Sequence, residues 1–139
     1  MEEKRFCLQC DENHVLSFLE YGARDLSFTR NGRTHTVPQV FGWHCPVCGD
    51  CHFDAGEGER YGEAMDAFSA QVDAEIAAAL RATRKKLGLR QVEAGHLFGG
   101  GSSAFSEYER GKTQPHKSTV LLFKLLDKHP ELLNEIRAA

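Results

Sequence analysis

The sequence predicts an α+β chain: a small antiparallel β module stapled by a metal, followed by an all-α, five-helix domain of helix-turn-helix pattern. Three observations carry this. Two Cys-x-x-Cys knuckles, Cys7/Cys10 and Cys45/Cys48, bracket the first third of the chain. Asn31-Gly32 sits between two strand-like runs inside that bracket, the strongest short hairpin signal, because a type I′ turn needs positive φ at both central residues. From Ile76 to Ile136, apolar residues recur at helical spacing and are punctuated by Gly88, Gly99 to Gly101 and Gly111.

Charge divides the chain in the same sense. Residues 1–72 hold 6 Lys+Arg and 12 Asp+Glu, whereas residues 73–139 hold 11 and 8. The overall charge of −3 therefore combines an acidic front with a basic back, and a basic half suits a polyanionic partner. We expect a metal-binding β module at 1–62, a helical connection at 63–75 and a helix-turn-helix domain at 76–139. A module of ~60–70 residues buries a thin core and commonly needs a staple. Met1 to Arg5 is charged rather than apolar, and no window reaches the ~18 apolar residues of a membrane span. The expectation is a cytoplasmic protein with no membrane partner.

In the front module, Asp11-Glu12-Asn13 reads as a turn. His14 to Tyr21 is rich in β-formers and is expected to break at Gly22. Asp25 to Arg30 and Arg33 to Val37 flank the hairpin turn, Pro38 is expected to end regular pairing or mark an edge, and Val40 to Trp43 returns the chain to the second knuckle. Residues 54–60 read as a loop. From Glu63 a helix begins, with Met65, Phe68 and Val72 on one face. No Gly or Pro interrupts Glu63 to Leu87, so it can run on without a loose tether. Then come Gln91 to Phe98, Ser102 to Arg110 with Gly111 as C′ residue, Ser118 to Lys128 with Leu122, Leu125 and Leu126 for the core, and Glu131 to Arg137 opened by Pro130.

Cys7-x-x-Cys10 and Cys45-Pro46-Val47-Cys48-Gly49 have the spacing of two zinc knuckles. An x2 spacing lets both sulfurs approach one ion while backbone N–H groups face the thiolates, and Gly49 freely supplies the positive φ often needed after the second cysteine. Four thiolates close a tetrahedral site and leave no open position for substrate, so we expect one structural Zn2+ per chain. A rubredoxin-like iron site uses similar knuckles and competes with it. Matched pairs at short spacing favour metal over disulfides in a reducing compartment. Cys51 and His52 lie just beyond the second knuckle, but the x2 spacing prefers Cys45 and Cys48. His14, His35 and His44 read as sheet or surface residues.

In a helix-turn-helix the second helix enters the major groove, its N-terminal residues reaching base edges. The pair here is Gln91–Phe98 and Ser102–Arg110. Ser102, Ser103 and Ser106 can meet phosphates or base edges, and Arg90, Gln91, Arg110 and Lys112 suit phosphate contacts. The competing reading is a plain helical bundle with the same core. No phosphate loop and no nucleophile with a partnered base can be assigned, so the chain does not read as an enzyme.

The motifs Gln91-x-Glu93-Ala94, Phe98-Gly99-Gly100-Gly101, Ala104-Phe105-Ser106-x-Tyr108-Glu109-x-Gly111, Gln114-Pro115-His116 and Leu126-Asp127-Lys128-His129-Pro130-Glu131-Leu132-Leu133 resemble the MqsA antitoxin family, as do the two knuckles and Asp66-Ala67-Phe68-x-Ala70-Gln71-Val72. That family joins an N-terminal zinc-binding module to a C-terminal Xre-type helix-turn-helix. The resemblance implies a homodimer formed through the helical domain, binding to a palindromic double-stranded DNA operator, repression of its own operon, and neutralisation of an RNA-cleaving toxin by the N-terminal domain. Its knuckle cysteines carry over onto Cys7, Cys10, Cys45 and Cys48. The chain departs from it at two places. The family's recognition helix reads bases with an Asn and an Arg where this chain has Ser103 and Glu107, so a different operator is expected; Glu107 can accept from cytosine N4 but repels phosphate. The segment between Val72 and Ala82 is also shorter than in the family's pattern. The alternative is a stand-alone Xre-type regulator whose metal module responds to metal or redox state, with Cys51 as its reactive thiol.

Overall fold

The computed structural model describes residues 4–139. They group into two compact units, one ending at Ser69 and the other Ala70–Ala139.

The first unit opens with a short helix, α1 (Leu8–Glu12), started by Cys7. A three-stranded antiparallel sheet follows, with β1 (Glu20–Arg30), β2 (Arg33–His44) and β3 (Cys51–Phe53) in that spatial order. Asn31 and Gly32 make the expected turn with φ of 54° and 76°, closing the Arg30↔Arg33 pair.

Two expected interruptions are absorbed. Gly22 does not break β1, because its backbone is extended at φ 157° and pairs with Gly42. Pro38 does not end β2. The register shifts between Arg24↔Val40 and Leu26↔Val37, so Pro38 and Gln39 together oppose Asp25. This is a bulge, the one place in a central strand that tolerates a residue without N–H. Gln39 takes φ 51° there and gives its N–H to Asp25 Oδ1 at 2.9 Å. Likewise, His14–Tyr21 is not one strand. Only Glu20 and Tyr21 enter β1, His14 turns with φ 60°, and Phe18 makes an isolated bridge with Phe6.

Helix α2 runs from Glu57 to Lys86. It starts inside the expected loop because its first turn is clamped to the bulge. Glu57 Oε2 accepts the Phe41 N–H at 2.9 Å, and Arg60 gives Nη2 to the carbonyls of Gln39 at 2.9 Å and Pro38 at 3.2 Å. Two turns on, Phe68 stacks against His35 at 5.0 Å and meets the edge of Phe28 at 5.5 Å. These contacts fix the start of the helix on the hairpin.

The helical unit contains the end of α2, then α3 (Gln91–Phe98), α4 (Ala104–Glu109), α5 (Lys117–Lys128), a 3-10 turn at Pro130–Leu132 and α6 (Leu133–Ala138). Its core has two parts. Leu80, Ala94, Ala104, Phe105 and Phe123 form one, and Leu89, Leu126 and Leu133 the other. On α5 the buried residues are Val120, Phe123 and Leu126. Leu125, expected in the core, is 53% exposed; it lies one residue off the buried face, a 100° rotation that the Leu121–Leu122, Leu125–Leu126 doublets do not resolve.

Candidate metal centre and nucleic-acid interface

The first knuckle is a helix start and the second a turn between strands, and the hairpin brings them together. The Sγ atoms of Cys7, Cys10, Cys45 and Cys48 all lie within 4.8 Å of one another. Cys7 is 3.5 Å from Cys48, and Cys10 is 3.7 Å from Cys45. Four sulfurs at ~2.3 Å from a tetrahedral zinc stand about 3.8 Å apart, so the cluster fits a zinc ion. Cys7, Cys10 and Cys45 are buried, and Leu19 and Trp43 pack on them.

Donors converge on these sulfurs. The N–H groups of Val47 and Cys48 point at Cys45 Sγ, each at 3.4 Å, the Asp50 N–H points at Cys48 Sγ at 3.5 Å, and Ser17 Oγ, buried, lies 3.3 Å from Cys45 Sγ. Gly49 has the positive φ, 80°, that this turn requires. The Cys48 N–H and then the Ser17 hydroxyl hold the Cys45 thiol down at about 6. The Asp50 N–H favours the Cys48 thiolate, but burial and the three neighbouring thiols outweigh it and push Cys48 up to about 12. One sulfur is thus primed as thiolate while Cys10 and Cys48 resist ionisation. Four thiolates in one shell require a cation to hold them, which is the chemistry of a metal site.

Cys51 stands outside the quartet. Its Sγ is 3.9 Å from Nε2 of the buried His44, and burial, Asp50 and Asp54 all raise its thiol, keeping it protonated. His44 donates its Nε2–H to the Val40 carbonyl, 2.9 Å away.

In the helical unit, Ala104 and Phe105 anchor α4, leaving Ser103, Ser106, Glu107 and Arg110 on the opposite side at i, i+3, i+4 and i+7 spacing. Ser102, Ser103 and Arg110 are exposed, and Ser106 and Glu107 partly so. Lys112 Nζ lies 3.8 Å from Glu107 Oε1, so the single acid on this face has a cation beside it. Arg90, exposed, precedes α3 and bonds Glu93 Oε1 through Nε at 2.9 Å; Gln91 is the first residue of α3. The helix therefore begins where Glu93 also accepts the Arg90 N–H, at 3.4 Å.

Three residues that sequence reasoning missed position this face. Arg84 forms a fork onto Glu109, Nε and Nη2 to the two carboxylate oxygens at 2.9 and 2.8 Å, and gives Nη1 to the Leu89 carbonyl at 2.8 Å. This buried pair ties α2 to α4 and to the start of α3. The third is Gly95 in α3. A Cβ there would lie 1.9 Å from the Gly101 carbonyl oxygen, so only glycine lets the turn into α4 close on α3.

The chain matches the family model described as the antitoxin component of a bacterial toxin–antitoxin system, MqsA, over residues 5–137. It is 41% identical over 133 residues to the antitoxin MqsA of Escherichia coli (strain K12), a match covering 94% of this chain and 98% of that protein. This chain belongs to the MqsA antitoxin family. Both the thiol quartet and the helix pair α3–α4 lie within the matched residues. Among the described residues, no helix is long and apolar enough to cross a membrane.

Proposed function

We propose that this antitoxin is a non-enzymatic, homodimeric, cytoplasmic DNA-binding repressor that controls its own operon through a palindromic operator and neutralises a ribonuclease toxin through its N-terminal module. In this reading, residues 1–62 form a zinc module, 63–75 the helical connection and 76–139 the DNA-binding domain. Cys7, Cys10, Cys45 and Cys48 hold one structural Zn2+. The ion would fix the hairpin and do no chemistry on a substrate, since four thiolates fill its tetrahedral shell.

The observation that carries the DNA reading is the two-sidedness of α4: one side buried through Ala104 and Phe105, the other polar and presented by Ser102, Ser103, Ser106 and Glu107. Arg90, Gln91, Arg110 and Lys112 sit around it and suit phosphate contacts. The Lys112 pairing supports Glu107 as a base reader, because a neighbouring cation offsets the repulsion between a carboxylate and the phosphates. A carboxylate in the major groove accepts from the exocyclic amine of cytosine.

The test is titration of the purified protein against DNA from immediately upstream of its gene, beside a scrambled duplex, across a salt series. Saturable binding that prefers the native duplex, and loses base preference at one pair per half-site in Glu107→Ala, supports the repressor. Weak binding equal on both duplexes and abolished by salt reduces it to phosphate attraction and leaves toxin neutralisation as the function.

A further inference from the structure

The last turns of α2 and the segment leaving α4 border a groove of about 790 Å3 inside the helical unit. Its α2 side is floored by the methyl groups of Ala74, Ala77 and Ala78. Arg81 and Lys85 line it one helical turn apart on α2, and Arg110 and Gln114 line it beyond α4. All four are exposed.

The balance of charge in this groove is set by what its acids are doing. Glu109 also lines it, but its side chain is only 4% exposed and both oxygens receive the Arg84 fork. Its charge is already matched. Arg81 Nε stands 4.0 Å from Glu109 Oε1, at the outer limit of an ion pair, and the Arg81 side chain is 60% exposed. Lys85 has no acidic partner among the described residues. Arg110 gives its Nε–H to the Ser106 carbonyl at 3.2 Å. Asp73, the other acid lining the groove, lies two helical turns before Arg81. The end of the groove nearest α4 is therefore cationic over a floor of small apolar groups, which suits a chain of alternating sugars and phosphates. Arg110 belongs both to this groove and to the polar side of α4, so the two surfaces are continuous.

We propose that the groove is a second grip on the DNA backbone, in which Arg81 and Lys85 hold phosphates flanking the half-site that α4 reads. This rests on the DNA-binding reading above and adds to it a sequence-independent contact from α2. Such contacts raise affinity and salt dependence and carry no base preference.

The experiment compares the unaltered protein with Arg81→Ala, Lys85→Ala and the double variant on the duplex from upstream of the gene, from 50 to 200 mM salt. Each single change is expected to lower the slope of log affinity against log salt by about 0.9, so that the affinity lost across this range shrinks about threefold per residue. Base preference in a selection from randomised duplexes stays as it was. Ethylation of phosphates outside the half-site, which weakens the unaltered protein, no longer weakens the double variant. Both side chains are exposed, and an unchanged thermal melt verifies folding. Unchanged slopes with an unchanged ethylation pattern overturn the proposal. So does a change in oligomeric state in the double variant, which would make the groove a contact between two copies of the chain. If the unaltered protein shows no saturable binding, the repressor reading falls and this falls with it; if it binds and the variants bind identically, only this proposal falls.

Discussion

The two units solve the same problem of size by opposite means. In the sheet unit the buried cluster around the knuckles is three thiols and Leu19, with Trp43 packed on it, while Phe6, Leu8, Leu16 and Val47 stay exposed. In the helical unit, of nearly equal length, eight apolar residues form two buried clusters, and the one buried ion pair, Arg84–Glu109, is fully bonded. In the proposed reading an ion makes up for the thin core of the first unit; the second is held by packing.

The sharpest way to break this comparison is chelation. Removing the metal is expected to unfold the sheet unit and spare the helical one, since structural zinc supplies on the order of 10 kcal/mol of apparent stability to small modules at neutral pH. Trp43, the single tryptophan of the chain, sits on the thiol cluster and reports that unit alone. Its fluorescence should move to that of a solvated indole while most of the helical circular dichroism persists. Simultaneous loss of both signals would show that the units do not fold independently.

The reverse break is Glu109→Ala, which strands the buried Arg84 guanidinium and is expected to cost the helical unit about 3–5 kcal/mol. Chemical denaturation followed by circular dichroism measures it, with Trp43 fluorescence unchanged at low denaturant. Replacing the pair together, Arg84→Met with Glu109→Leu, should cost much less, because no charge is then left unpaired. Gly95→Ala comes next. The added methyl meets the Gly101 carbonyl at 1.9 Å, and overpacking of this kind costs about 1–3 kcal/mol; a melting temperature within a degree of the parent would refute the close approach.

The smallest effect belongs to pH. Cys45 is held down at about 6, first by the Cys48 N–H and then by Ser17. A depressed thiol pKa favours the ionised, metal-holding form above it and loses that advantage as pH falls through it. Acidification should therefore favour metal release. Ser17→Ala removes a donor to the thiolate, raises the Cys45 pKa, and should move the release midpoint to higher pH, read with a colorimetric chelator. A midpoint unchanged or lowered would show that Ser17 does not act on the thiolate.

What could be read from the sequence was whatever is encoded locally. Asn31-Gly32 has one favourable turn, so the hairpin was legible. Gly99 follows Phe98 directly, and α3 ends there. The x2 spacing of both knuckles identified the four thiols that the structure gathers. Features decided by a distant partner were not legible. Pro38 is accommodated because Asp25, on the neighbouring strand, faces it across a bulge. Residues 57–60 become helix because β2 offers carbonyls to Arg60 and an N–H to Glu57. The Arg84–Glu109 fork spans 25 residues, and nothing local to either residue announces the other. The need for glycine at Gly95 is likewise set by Gly101, six residues on, whose carbonyl oxygen a Cβ would meet at 1.9 Å.

The thiol quartet also sets an order on biosynthesis. Cys10 and Cys45 are 35 residues apart in the chain, so at a synthesis rate of ~5–20 residues per second the first knuckle leaves the ribosome about 2–7 s before the second. During that interval Cys7 and Cys10 offer an ion two ligands. In the zinc-module reading, a nascent chain can close this site only once the hairpin between the knuckles has been made, and by then the helix that carries Phe105 is still to be translated.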